Sequence, residues 1–247
     1  MSETDCLLKL TDVSKSFEQP GGQRLHVLRG LSLCLDRGEI LALMGPNGCG
    51  KTTLLNIIAG DLMADEGTVR IGGVILSKWP PYRRARLLGR VHQESYKALA
   101  SELTVREILA IARKRQETLC ARFPEPASAL ATIRSFSEGA ASFLTSRLDV
   151  QSSALSGGQR QLLALASAVL GGPRLLILDE HKASLDAEFT RMADELVLGL
   201  VSGAVASAIV VTHDRQWVRS AASCAALFED GRVKLVEIEE LRANGPA

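Results

Sequence analysis

The apolar run Ile40-Leu41-Ala42-Leu43-Met44 leads directly into Gly45-Pro46-Asn47-Gly48-Cys49-Gly50-Lys51-Thr52-Thr53. From Lys51 to Ala59 the pattern turns helical, with Leu54, Leu55 and Ile58 on one face and Gly60 as the stop. A strand, a glycine-rich loop and a helix in that order leave few folds open. The glycines let successive backbone N–H groups converge without Cβ clashes, and the helix N-terminus behind them adds positive potential. Lys51 brings a full charge to phosphate oxygens, and Thr52 offers a hydroxyl oxygen to Mg²⁺. The G-x4-G-K-T spacing therefore predicts a phosphate-binding P-loop in an α/β core, with Gly45 through Thr53 holding a nucleotide.

A second buried run supports this. Leu175-Leu176-Ile177-Leu178 is continuously apolar, as a strand covered on both faces must be, and Asp179-Glu180 follows at its end. Ligands collect at the carboxyl ends of parallel strands. Asp179 there suits Mg²⁺, and Glu180 suits orientation or deprotonation of an attacking water. Ala208 to Val211 is a similar strand, with Thr212-His213 after it.

The remaining segments are short and punctuated. Leu7 to Val13 and His26 to Leu35 read as strands around a Gly21-Gly22 turn. Gly67 to Leu76 reads as a hairpin at Gly72-Gly73, and Leu227 to Val233 as another at Asp230-Gly231. Thr104-Val105-Arg106-Glu107 is a capping box opening a helix to about Arg115, and Ala127 to Arg147 is expected to be helical beyond Pro124 and Pro126. Gln159 to Leu170 is expected as a helix ending at Gly171-Gly172-Pro173. Trp79 and Trp217 read as packing residues. The basic segment Lys78 to Arg90 reads first as a solvated face, second as a contact for loops of another protein or anionic lipid headgroups.

Composition excludes several classes. Among 247 residues, 29 Lys plus Arg balance 28 Asp plus Glu, which argues against a general nucleic-acid binder. No apolar run reaches the roughly 20 residues of a spanning helix, and the start MSETDCLLKL lacks the basic region of a signal peptide. The five cysteines (Cys6, Cys34, Cys49, Cys120, Cys224) are scattered and form no CxxC pair, so reduced thiols are expected rather than a disulfide framework or zinc site.

Further segments carry a family resemblance. Leu155-Ser156-Gly157-Gly158-Gln159 resembles the signature loop of ABC-type ATPases, at the usual interval before Asp179-Glu180. Gln93 matches the family's Q-loop, Ala183-Ser184-Leu185-Asp186 its D-loop and His213 its switch histidine. Phe17 stands where the family places an aromatic that stacks on adenine. These features occur in family order over nearly the whole chain. The resemblance implies a P-loop NTPase core with a mostly parallel sheet, an N-terminal antiparallel β-subdomain and an inserted α-helical subdomain. It implies a single ABC ATPase domain over 1–247, with core and β-subdomain in 1–96 and 156–247 and the helical subdomain in 97–155.

The implied mechanism is a head-to-tail dimer with ATP between one P-loop and the other copy's signature loop. Glu180, His213, Gln93 and Lys51 would be catalytic. Thr52, Gln93 and Asp179 would serve Mg²⁺, while Ser156, Gly157, Gly158 and Gln159 would act in trans and Asp186 in the D-loop. His181-Lys182 in place of the common Pro-Thr, with Leu162-Leu163 and Ala166-Ser167-Ala168-Val169, resembles an "LDEH" subgroup of bacterial importer ATPases. Some members are associated with uptake of aromatic amino acids. The resemblance thus implies a cytoplasmic subunit, peripheral on the cytoplasmic face of the cell membrane. Its partners would be a second copy, a multi-span permease and, through that, an extracytoplasmic substrate-binding protein. An exporter or lipoprotein-releasing ATPase, and a soluble non-transport ABC ATPase, are the alternatives.

Overall fold

A computed structural model describes residues 6–92, 99–114, 125–180, 185–203, 206–236 and 238–239. Contacts group the chain into two compact units, Met1–Leu88 with Ser207–Ala247, and Gly89–Ala206.

In the first unit, β1 (Cys6–Glu18) and β2 (Arg24–Asp36) form a long antiparallel hairpin. Its turn holds Gly21 and Gly22 at φ 101° and 78°, a region closed to most side chains. Both strands run beyond the sequence expectation, because pairing continues through bulges that absorb extra residues and bend the ladder. β4 (Glu66–Ile71) adds to β1, and β5 (Val74–Ile75) to β4, giving the sheet order β2-β1-β4-β5. The expected Gly72-Gly73 turn joins β4 to β5.

The same unit contains β3 (Ile40–Met44), β8 (Ser207–Val211), β9 (Cys224–Glu229) and β10 (Arg232–Val236), in the order β10-β9-β3-β8. β8 and β9 flank β3 in parallel, and β10 returns antiparallel through the Asp230-Gly231 turn. All five residues of β3 and of β8 are buried, as the uninterrupted apolar runs require.

α1 (Lys51–Ala59) ends at Gly60, φ 90°, as expected. Its C-terminal carbonyls have a partner that the sequence alone assigns to a solvated face. From α2 (Pro81–Arg84), the Arg84 guanidinium is 1% exposed. It donates to the Ile57 and Ile58 carbonyls at 2.6 and 3.0 Å and to Trp79 at 3.0 Å. Five N–H donors on a rigid plane let one side chain satisfy several orphan carbonyls at a helix end. Burial pushes the guanidinium pKa down, and the nearby Asp61 carboxylate opposes that shift. The solvated reading holds for Arg83 and Arg86, which are exposed.

The second unit carries β6 (Leu88–Val91, from its second residue) beside β7 (Leu175–Asp179), and the helices α3 (Val105–Lys114), α4 (Pro126–Phe136), α5 (Glu138–Thr145), α6 (Gly157–Leu170) and α7 (Ala187–Ser202). The Thr104–Glu107 box forms as read: Glu107 Oε2 accepts from Thr104 N at 2.8 Å, and Thr104 Oγ1 from Glu107 N at 3.3 Å. The single helix expected from Ala127 to Arg147 is instead two. Ser137, extended at φ −148°, caps α5 by accepting from Ala140 N and donates to Glu195 at 2.6 Å. A serine hydroxyl bonded to the backbone is worth more at a helix start than inside one.

Another expectation fails in the first unit. Cys6 on β1 and Cys34 on β2 lie near each other beside a register shift, with Cα atoms 5.8 Å apart, and are joined as a disulfide. A separation of 28 residues hid the pairing, which the hairpin register creates.

Candidate nucleotide-binding site

β3 delivers the chain to Gly45, and α1 begins at Lys51. Three loop glycines take positive φ: 145° at Gly45, 78° at Gly48 and 112° at Gly50. Two are also sterically required. A Cβ on Gly45 would lie 2.7 Å from the Phe228 carbonyl oxygen, and one on Gly50 would lie 2.9 Å from Val27 Cγ1. The loop is therefore wedged between β9 and β2. Pro46, Asn47 and Gly48 stay exposed at its crest.

Lys51 is only 7% exposed. Its ammonium donates to the Gly45 and Pro46 carbonyls at 2.8 and 2.7 Å and lies 3.8 Å from Cys49 Sγ. Both bonds hold the charge over the loop. α1 has no acidic residue in its first turn, so no carboxylate of that turn offsets its N-terminal potential. Thr52 is exposed and Thr53 half-buried at this helix start.

Phe17, 40% exposed, pairs with Leu25, 48% exposed, across the β1–β2 ladder. Leu25 stands two residues along β2 from Val27, the residue against Gly50. An apolar surface thus begins beside the P-loop. Sequence reasoning named Phe17 and missed Leu25, although a hairpin centred on Gly21 already places position 17 opposite position 25. Lys15 Nζ lies 5.5 Å from the Phe17 ring centroid and 2.6 Å from Asp65 Oδ1. His213, exposed, follows β8 just before α8 (Arg215–Ala221). Asp214 caps that helix by accepting from Trp217 N at 3.0 Å.

In the second unit, Asp179 closes β7 and Glu180 follows, both half-buried. Glu180 sits at φ 47°, in the left-handed region that β-carbon-bearing residues seldom occupy. Such a conformation costs of order 1–3 kcal/mol and survives where the surroundings impose it, often at reactive sites. Ser156 caps α6: its hydroxyl accepts from Gln159 N at 3.3 Å, and Gln159 Oε1 accepts from Ser156 N at 3.0 Å. The Ser156 hydroxyl keeps its own proton for a further acceptor. Gly157 and Gly158 follow in the first turn, which contains no acid, and a Cβ on Gly157 would meet only open space. Capping also explains why α6 starts two residues before the expected Gln159. Asp186 caps α7 by accepting from Phe189 N at 2.9 Å. Gln93, His181-Lys182 and Ala183-Ser184 lie outside the described residues.

Comparison with known proteins agrees with this chemistry. Residues 28–183 match the family model described as ABC transporter. The chain is 32% identical over 212 residues to a tyrosine transport ATP-binding protein of Clostridioides difficile, covering 84% of this chain and 82% of that one. It is 33% identical over 236 residues to the spermidine/putrescine import ATP-binding protein PotA of Lawsonia intracellularis, covering 96% of this chain but 60% of the relative. A nucleotide-free ATP-binding cassette of an ABC transporter superposes with a TM-score of 0.78 at 23% identity, over 97% of this chain and 94% of that one, and shows the fold. A dimeric post-hydrolysis cassette bound to ADP and phosphate superposes with a TM-score of 0.76 at 25% identity, over 94% and 98%. The family model and the relatives agree, and the chain belongs to the ABC transporter family as one of its ATP-binding subunits, an ATPase.

Proposed function

We propose that two copies of this chain close head to tail around ATP and drive a separate multi-span permease, as an importer, from the cytoplasmic face of the membrane. The observation that carries this reading is a pair of acid-free, glycine-rich helix starts, at Lys51 in one unit and at Ser156 in the other. Each suits phosphate oxygens. In the dimer, Lys51 and the backbone N–H groups of Asn47 to Thr53, in the loop that Gly45 and Pro46 open, hold the phosphates of one ATP. Ser156, Gly157 and Gly158 of the other copy donate to its γ-phosphate, with Gln159 fixing the Ser156 rotamer, and Asp186 lies at the copy-to-copy contact. Phe17, extended by Leu25, stacks on the adenine.

Glu180 is the general base for the attacking water, and His213 meets the γ-phosphate. Thr52, Asp179 and Gln93 would hold Mg²⁺. Hydroxyl, carboxylate and amide oxygens are the hard donors that Mg²⁺ takes, and the exposed Thr52 and half-buried Asp179 fit that set. Bound there, the ion would supply charge neutralisation to the phosphates.

Two further observations support the partners. No helix among the described residues is long and apolar enough to cross a membrane, and in this reading the pore belongs to another chain. The second unit also has a mostly apolar groove of about 380 Å³, lined by Leu99, Leu103, Ile108, Ile111 and Ala168. It opens on Ile111, 45% exposed, and includes His92 and Leu99, which bracket the Gln93 segment. In this reading a permease helix seated there would signal to the nucleotide through Gln93. An extracytoplasmic binding protein would deliver cargo to that permease, and the tyrosine transport relative supports an aromatic amino acid as cargo.

The test is recovery of tagged Glu180→Gln from native membranes with ATP and Mg²⁺, followed by mass spectrometry. A multi-span permease is expected in stoichiometric amount. Recovery of soluble proteins alone under gentle detergent would overturn the reading in favour of a non-transport ATPase.

A further inference from the structure

The Cys6–Cys34 pair stands with a third ligand-bearing side chain. Cys6 lies opposite Asp36 in the β1–β2 ladder, and Cys34 is two residues before Asp36 on the same strand. Positions i and i+2 of a strand share a face. One donor atom from each of Cys6, Cys34 and Asp36 falls within 4.8 Å of the others, with Cys34 Sγ 3.4 Å from Asp36 Oδ1. An ion bound at about 2.3 Å to sulfur and about 2.1 Å to oxygen draws its ligands to within roughly 4 Å of one another. Once the disulfide is reduced, the two sulfurs separate to that spacing by side-chain rotation.

The surroundings favour a cation. Cys34 is exposed, while Cys6 and Asp36 are half-buried, so solvent reaches the cluster from one side. Cys34 and Asp36 also line a cavity of about 630 Å³ with Glu39, Cys224 and Glu239. Glu39 Oε2 already accepts from Asp36 N at 3.0 Å, which keeps a second carboxylate beside the first. The cavity leaves space for water to complete a four-coordinate shell. None of these residues belongs to the nucleotide site.

We propose that the reduced Cys6–Cys34 pair, with Asp36, is a binding site for one thiophilic divalent cation such as Zn²⁺ or Cd²⁺. The disulfide is its closed form. Two electrons from a dithiol reductant cleave the S–S bond; the reductant becomes a cyclic disulfide, and its two protons end on Cys6 and Cys34. Each thiol then loses its proton to solvent as the metal–sulfur bond forms. The ion takes over the crosslink between β1 and β2 that the disulfide supplied, so the site reads both redox state and metal supply.

The test uses the full chain carrying Cys49→Ser, Cys120→Ser and Cys224→Ser, so that only Cys6 and Cys34 remain. Cd²⁺ is titrated after reduction with a dithiol and desalting, and thiolate-to-cadmium charge-transfer absorption is followed in the ultraviolet. One ion per chain is expected, with no signal in protein first oxidised by diamide. A further Cys34→Ser change should weaken binding at least ~100-fold and Asp36→Asn about tenfold. Equal absorption in oxidised and reduced protein, or an unchanged titration with Cys34→Ser, would overturn the proposal. If the triple variant fails to fold, the reduced unsubstituted chain is compared with the same chain carrying Cys34→Ser alone: one ion fewer per chain supports the site, and an equal number overturns it.

Discussion

At the residue scale the P-loop is a set of backbone positions that side chains protect. Gly50 has no room for a methyl group: a Cβ there meets Val27 Cγ1 at 2.9 Å and Phe228 Cε1 at 3.1 Å, at φ 112°. Gly50→Ala should lower stability by about 1–3 kcal/mol and shift the loop, so thermal melting and nucleotide binding fall together. Glu180→Gln is the opposite kind of change. It keeps the size of the side chain and removes the proton acceptor, so ATP binding should persist while turnover drops by about 10²–10⁴-fold. Equal losses of affinity and turnover would remove Glu180 from the role of base. Cys49 gives a reagent-based check, because its sulfur lies 3.8 Å from the Lys51 ammonium. Alkylation confirmed at Cys49 should block ATP binding, and prior ATP should slow the modification.

At the scale of elements, two polar clamps hold strands and helices around the site. Arg84 closes the C-terminus of α1, whose other end is the P-loop. Arg84→Met keeps the apolar stem but leaves the Ile57 and Ile58 carbonyls without that donor, and should cost about 3 kcal/mol in denaturant unfolding. The second clamp is Asp65, which accepts from Ser16 N at 2.7 Å and from Lys15 Nζ at 2.6 Å. The Lys15 bond, then the Ser16 amide, hold its carboxyl at about 2, below the ordinary 3.8. A depressed carboxylate pKa contributes stability above the unfolded value and loses it as pH falls through the folded one. Part of the acid destabilisation between about pH 4 and pH 2 should therefore vanish in Asp65→Asn, read as a flatter melting temperature against pH. These clamps also mark what the sequence hid. Arg84 looked like one of several surface arginines in a basic run, because burial depends on a helix end 26 residues away. Ser137 broke an apparently continuous helix for a comparable reason, its contact with Glu195 lying 58 residues ahead.

For the whole molecule, the legible part is what one short segment contains. The P-loop, the acids at the end of β7 and the Ser156 cap are contiguous motifs, and β3 and α1 fall on the bounds read from their apolar pattern. Leu25, Phe228 and the Cys6–Cys34 pairing arise from registers between distant strands, which no local period encodes. The division of phosphate-suited helix starts between two units raises a question that one chain leaves to its assembly: whose Ser156 serves whose ATP. Mixing two inactive variants answers it. Lys51→Ala spoils a chain's own P-loop, and Ser156→Arg spoils what it lends. In a mixed dimer, one interface joins both lesions, while the other joins the intact P-loop of one copy to the intact Ser156 of the other. An equimolar mixture, half of it mixed dimers by random pairing, should recover roughly a quarter of the unsubstituted ATPase rate if sites act independently. If each chain used its own Ser156, every site in the mixture would contain a lesion and no activity would return.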